Sequence, residues 1–540
     1  QKARGYISFV RGENPYTFPY RIYPSEFLTK DLLKDMEYPR KQINSKDIIT
    51  GIQFLDLFIS KLGDYQENAY NKIIEEIKED FPSFSKMESG VGYTVLDKPL
   101  QILNMVYPSM DFDGGKKNIK LHGLGGLNRI MNYDKETKRN FSYKADTLNN
   151  YGRIFSNENL FNYSGKIYSI CEHIKKSKGI VLIYSQFING GCVPLALALE
   201  EMGFIRYNGR SLLKEPKPKI NALTLQEIKD SKEPVASYVM ITGDQKLSPR
   251  NKKEVDWCTN DDNINGEKVK VIIISRAGSE GLDFKNIRQV HILEPWYNLN
   301  RIEQIIGRAV RFCSHIKLPF EERNTEIYLY GSRLKDNDIE AADLYVYRLA
   351  EKKAIQIAVV SRILKENAVD CLLNKGQIHL SSDILNQKVT QNLSSGISIN
   401  YEVGDHSETS VCDYMKECVY ACCPNIDKVE IDEDTYNEKF ILMNIEKIII
   451  KIRNLMKDRY VYKKIDIIKG INRVHTYPLV QIYAALNQLI NDKNEYITDM
   501  LGRIGYLVNI GDYYMFQPIE LENKHITRYE RVHPIDYKKS

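Results

Sequence analysis

The sequence predicts an α/β protein built on a parallel sheet, and three observations carry that prediction. Short apolar runs alternate with helix-patterned segments: "GIVLIYS" at 179–185, "YVMITG" at 238–243, "VKVIIIS" at 269–275, "QVHILEP" at 289–295 and "EIYLYGS" at 326–332. These runs lack the polar alternation of a half-exposed strand, so both faces of the sheet must be covered. Small or polar residues, Ser185, Thr242, Ser275 and Glu294, close four of the runs. Those are the carboxyl ends of strands, where parallel sheets bind ligands.

Composition sets the frame. A chain of 540 residues has room for three or four domains at ~150 residues each. With 43% hydrophobic and 27% charged residues it has an ordinary globular make-up. A net charge of +5 is too small to argue by itself for nucleic acid, so any basic surface has to be local. No apolar run approaches the ~18 residues of a membrane span. The start, "QKARGYISFV", has neither a Met nor a signal-peptide pattern, and we expect the chain to begin inside a longer protein. Nine cysteines, an odd number without a secretion signal, lead us to expect reduced thiols in a cytosolic setting.

Residues 1–45, rich in aromatics, prolines and arginines, read as an extended connector. Residues 46–160 read as an insertion without identifiable chemistry; its "LHGLGGLNRI" lacks the Lys-Ser or Lys-Thr of a phosphate loop and is expected to turn. The helix "SGKIYSICEHIKKSK" opens the regular region at 161–336, and "VPLALALEEMG" follows the first strand with Pro194 near its start. A polar helical segment begins near Ser248, and a helix begins near Asn300.

That last helix, "NRIEQIIGRAVRF" at 300–312, is the most informative element. At ~100° per residue, Gln304, Gly307, Arg308 and Arg311 share one sector, with Ile302, Ile305, Ile306, Ala309 and Val310 opposite. One face packs on the sheet; the other offers an amide, a gap and two guanidiniums. A helix-interior glycine costs up to ~1 kcal/mol, which points to close approach of something to the backbone there.

"SRAGSEGLDF" (275–284) with "QIIGRAVR" resembles motifs V and VI of superfamily 2 helicases and translocases; "GIVLIYSQF" resembles motif IV. The fold this implies is a RecA-like parallel-sheet second helicase lobe. ATP with Mg²⁺ would be the cofactor. Arg311 and then Arg308 would reach the phosphates, and Gln304 would hold the water or a phosphate. Asp283, Gly281 and Gly307 would face the nucleotide. Ser185, Gln186, Thr242, Ser275, Arg276 and Gly278 would contact nucleic acid. A narrower resemblance, in "ARGYISFVRGENPYTFPYRIYP", "SEGLDFKNIRQVHILEPWYNLNRIEQIIGRAVRFCSH" and "LKENAVDCLLN", is to helicase-like ATPases of large cytoplasmic DNA viruses, related to the poxvirus early-transcription-factor small subunit and the viral nucleoside triphosphate phosphohydrolase. It implies action on DNA, with RNA left open, beside viral RNA polymerase or other transcription-factor subunits, in the host cytoplasm or virion. A different class is also open: a non-catalytic transcription or assembly factor that keeps the motor fold. No Gly-x-x-x-x-Gly-Lys-Ser/Thr and no Asp-Glu-x-His occurs in these residues, so the phosphate cradle and the Mg²⁺ carboxylates are expected in a preceding lobe, and this segment alone is expected to be inactive.

Residues 337–430 read as a helical, Cys-containing linker. The spacing of Cys412, Cys418, Cys422 and Cys423 does not fit a paired zinc ribbon; a metal completed by His406 or Cys371 is the alternative to free structural thiols, which the spacing favours. Residues 431–525 give helix, short helix, helix and an aromatic hairpin around "IGD", an α+β winged-helix-like order. Its third helix carries almost no Lys or Arg, which favours a structural or protein-docking role over base reading. The tail at 526–540 is expected to be loosely ordered.

Overall fold

The computed structural model describes residues 6–10, 14–80, 93–215, 217–276, 282–335, 338–423, 437–521, 523 and 525–533. The chain divides into two units, 1–425 and 426–540. The first is built on an eight-stranded sheet in which every pair is parallel. Its order is Tyr20–Ile22, Asn324–Arg333, Ile287–Ile292, Ile180–Tyr184, Val271–Ile274, Ser237–Ile241 and Ile205–Arg206. Phe58–Lys61 pairs with the far half of Asn324–Arg333.

The four central strands, Ile287–Ile292, Ile180–Tyr184, Val271–Ile274 and Ser237–Ile241, are buried along their whole length, and their period of two divides their side chains between two cores. Val181, Ile183, Tyr238, Met240, Val271 and Ile273 join one core. Ile180, Leu182, Val239, Ile241, Ile272 and Ile274 join the other. Helix Leu299–Ala309 covers the second face through Leu299, Ile302, Ile305, Ile306 and Ala309. Helices Asp64–Asp80, Tyr93–Asn104, Gly165–Lys176 and Val193–Glu201 cover the first. Helix Gly165–Lys176 starts where the buried Ser164 hydroxyl accepts the Ile167 N–H, and Pro194 occupies the first turn of Val193–Glu201, where no N–H is needed.

Several boundaries differ from the sequence reading. The segment 1–45 is no mere connector, since Tyr20–Ile22 forms an edge strand of the sheet. Nor is 46–160 a separate insertion: it supplies the strand Phe58–Lys61 and much of one core, including Tyr70, Leu96, Leu100 and Leu103. Strands of three and four residues are too short to show a period. The "GLGG" stretch is helix, Gly123–Ile130, not a turn. A Cβ on Gly126 would lie 2.4 Å from the Tyr107 ring, so glycine there permits packing.

The 337–430 region also departs from expectation. Helix Ala342–Glu366 is followed by Cys371–Ile378 and by an antiparallel hairpin, Lys388–Asn392 with Ser398–Glu402. Four of these cysteines are neither free thiols nor a metal set: Cys371 is bonded to Cys422, and Cys412 to Cys418, while Cys423 is exposed and outside both disulfides. His406 Nε2 instead meets the Glu402 carbonyl at 2.9 Å. Chain spacing could not show that residues 51 apart would stand with their Cα atoms 5.8 Å from each other, within disulfide reach.

In the second unit, helix Ile445–Asp458, strand Val461–Lys463 and helices Lys464–Ile471 and Leu479–Asn491 precede strands Ile497–Thr498, Ile504–Ile510 and Tyr513–Pro518. The four strands form one antiparallel sheet, with Gly511 at positive φ in the hairpin turn. The described part of the tail, 526–533, contains a helix. A capping box between Thr527 and Glu530 starts helix Arg528–Val532, and the buried Arg531 donates to the Phe516 carbonyl.

Candidate nucleotide and nucleic-acid site

Ser185, Thr242 and Ser275 each follow a strand directly, and Glu294 lies two residues past Ile287–Ile292. All four are buried. The Ser185 hydroxyl donates to Glu294 Oε2 at 3.0 Å, and the Gln186 N–H to Glu294 Oε1 at 2.5 Å. The Thr242 hydroxyl pairs with the Ser248 hydroxyl at 2.9 Å. The Ser185 and Thr242 hydroxyls, two of the three expected to contact nucleic acid, are therefore engaged inside the protein; they shape the loops that follow. Arg276 is exposed, with its guanidinium 5.8 Å from the Trp296 ring, and Arg301 stacks on the same ring at 3.9 Å. Gly278 and Gly281 lie outside the described residues.

The arginines form one cluster with the motif V carboxylate. Arg311 Nη2 lies 2.9 Å from Asp283 Oδ1, and its Nη1 donates to Oδ2 at 3.0 Å. Arg308 Nη1 lies 3.7 Å from Asp283 Oδ1 and donates to the Leu282 carbonyl at 3.2 Å. Gln304 is exposed beside them. The helix ends at Ala309, two residues before Arg311, which corrects the expected single sector running to 312. Arg311 reaches the cluster by folding back, its Nε donating to the Gly307 carbonyl at 3.1 Å. That bond satisfies one of the carbonyls a helix end leaves open. A Cβ at Gly307 would meet no atom of this chain within 4 Å, so no internal contact requires this glycine.

The Arg311 side chain is 42% exposed and that of Asp283 60%. Exposed pairs of this kind contribute only about 0–1 kcal/mol. Two guanidiniums share one carboxylate, so a phosphate could replace Asp283 at little cost.

At the carboxyl end of strand Ile287–Ile292 lies a buried network that sequence reasoning missed apart from Glu294. Glu294 also accepts from Asn104 Nδ2 at 2.6 Å. Lys166 Nζ reaches the Leu293 carbonyl at 2.9 Å and Asp343 at 2.7 Å. Asp343 accepts in turn from the Ser332 hydroxyl at 2.7 Å. Burial pushes Glu294 up to about 7, against the lowering effect of the Gln186 N–H, Lys166, Asn104 and Ser185. Neither Asn104 nor Asp343 shows a local signal, because Glu294 and Lys166, their respective charged partners, lie more than a hundred residues away in the chain.

Residues 165–313 match the helicase conserved C-terminal domain. The chain is similar to superfamily 2 helicase-like proteins, among them viral ones. An Acanthamoeba polyphaga mimivirus protein named as an ATP-dependent RNA helicase, L377, is 25% identical over 98% of this chain and 48% of its own length. The termination factor NPH-I homolog of African swine fever virus (isolate Pig/Kenya/KEN-50/1950) is 36% identical over 31% of this chain and 26% of its own. Among solved structures, the C-terminal part of the Fun30 ATPase domain is 15% identical, with a TM-score of 0.32, over 58% of this chain and 90% of that one. The chain spans about half the length of the mimivirus relative. Among the described residues no helix is long and apolar enough to cross a membrane.

Proposed function

We propose that this chain is the second motor lobe, with C-terminal additions, of an ATP-dependent DNA helicase or translocase that serves viral transcription in the host cytoplasm or virion. The observation that carries the reading is the exposed cluster of Asp283, Arg308 and Arg311, which joins the loop leading into strand Ile287–Ile292 to the end of helix Leu299–Ala309. The relative named as a termination factor supports a transcription role and a viral polymerase as partner; relatives named as RNA helicases make RNA the competing substrate.

The two guanidiniums fit the triphosphate of ATP, which supplies the phosphoanhydride bond. Arg311 would leave Asp283 for the γ-phosphate, with Arg308 beside it, and Gln304 would orient water or a phosphate oxygen. Charge stabilisation of this kind can supply ~10³ or more in rate. No group of three or more His, Cys, Asp or Glu fit to hold a metal occurs among the described residues. Mg²⁺ would be held mainly through a first lobe.

The test is nucleic-acid-stimulated ATP hydrolysis by the full-length protein. Arg311→Ala is expected to lower kcat about 10³-fold, with DNA stimulating more than RNA. Normal hydrolysis by that variant would remove the finger assignment; a wild type that binds DNA without hydrolysing ATP would favour the non-catalytic factor.

A further inference from the structure

On the far side of the motif VI helix lies a cavity of about 370 Å³, the size of a small-ligand site. Four separate stretches converge on it: 14–26, 54–56, 299–306 and 401–414. Its walls are aromatic. Tyr20 lies against Tyr401 with ring centres 4.8 Å apart, and Phe54 against Tyr414 at 5.6 Å, with Phe18 and Tyr23 between the segments. The disulfide Cys412–Cys418 holds the loop that carries Tyr414.

Its polar lining is one-sided. Glu26, Asp56, Glu303 and Asp405 face a single arginine, Arg21, which is taken up by Glu303 at 2.7 Å; His406 is the other basic group. Burial raises both Glu26 and Asp56 above the ordinary carboxylate range, even though each accepts a backbone N–H, from Tyr23 and Ser25 respectively. Tyr20 is 5% exposed, and its hydroxyl has no hydrogen-bond partner among the described residues. Carboxylates at this density repel a phosphate or any other anion. Aromatic faces attract a cation, most strongly where water is excluded.

We infer that this cavity is a binding site for a small organic cation with a flat apolar body, such as an aromatic amidine or amine, held between the tyrosine walls by Glu26 and Asp56 and hydrogen-bonded by Tyr20. It is separate from the proposed nucleotide site. It shares one element with that site: helix Leu299–Ala309 turns Ile302, Glu303 and Ile306 to the cavity and Gln304 and Arg308 to the rim.

Benzamidine, benzamide and benzoate have nearly the same shape and differ in charge, so titrating each into the 540-residue chain by ligand-observed NMR isolates the chemistry. Ethylguanidinium, standing for an arginine side chain from a protein, forms the fourth arm. Benzamidine is expected to bind saturably and about tenfold or more tighter than the other three. Asp56→Asn and Tyr20→Phe should each weaken it about tenfold while leaving thermal unfolding in place. Equal binding of benzoate, tighter binding of ethylguanidinium, or no saturable binding of benzamidine to the wild type would overturn the proposal. So would folded variants that bind benzamidine normally.

Discussion

Two charged clusters stand at opposite ends of the same sheet, one by the amino end of strand Ile287–Ile292 and the other just past its carboxyl end, and differ in nearly every physical respect. Asp283, Arg308 and Arg311 meet on an exposed rim, where water screens the pairs and each partner can be exchanged. Lys166 and Asp343 meet in the interior with both side chains fully buried, and each has further hydrogen bonds. Opening the first cluster exposes nothing that was dry. Opening the second strands a charge in the core. The rim suits a ligand that comes and goes; the interior holds the carboxyl ends of the strands in place.

The sharpest way to break this comparison is to remove one buried partner. Lys166→Met should cost about 3–5 kcal/mol in urea unfolding, because Asp343 is left charged and uncompensated. A cost below about 1 kcal/mol would show that the pair is not structural. Next in size is Glu294. Burial holds it at about 7, so the folded protein keeps a proton that the unfolded chain releases. Its contribution to stability is therefore complete below the unfolded value near ~4.3 and is lost as pH rises through about 7. Replacing it with glutamine should flatten the fall in unfolding free energy between about pH 4.5 and 7.5 by roughly 3 kcal/mol. An unchanged profile would mean that Glu294 is ionised throughout. The smallest effect belongs to the rim. Asp283→Asn should change stability by less than about 1 kcal/mol, and Arg311→Ala equally little, in contrast to its expected effect on hydrolysis. A large loss of stability in either would make the rim a structural feature and weaken the functional reading.

The central strands and the two arginines could be read directly, because "GIVLIYS" or "QIIGRAVR" carries its pattern within a few residues. The edge strands could not. Tyr20–Ile22 and Phe58–Lys61 have no period of their own and are strands only because Asn324–Arg333 offers them hydrogen bonds. The end of helix Leu299–Ala309 was missed for a related reason. Val310 and Arg311 continue the apolar and basic pattern, yet the backbone leaves the helix there. The Arg311 side chain then closes the helix end through the Gly307 carbonyl.

What the sequence by itself determined is local: strand and helix periods, the order of the motifs, and the charge and reach of the side chains offered at the strand ends. Tertiary structure alone decided which distant residues meet, as in Lys166 with Asp343, Arg21 with Glu303, and Cys371 with Cys422. It also decided that Ser185 and Thr242 turn their hydroxyls inward. The reason is physical. A repeating pattern is set by neighbours within one or two turns of chain, whereas a long-range pair forms only when the packing of whole elements pays the entropy of closing the loop between them.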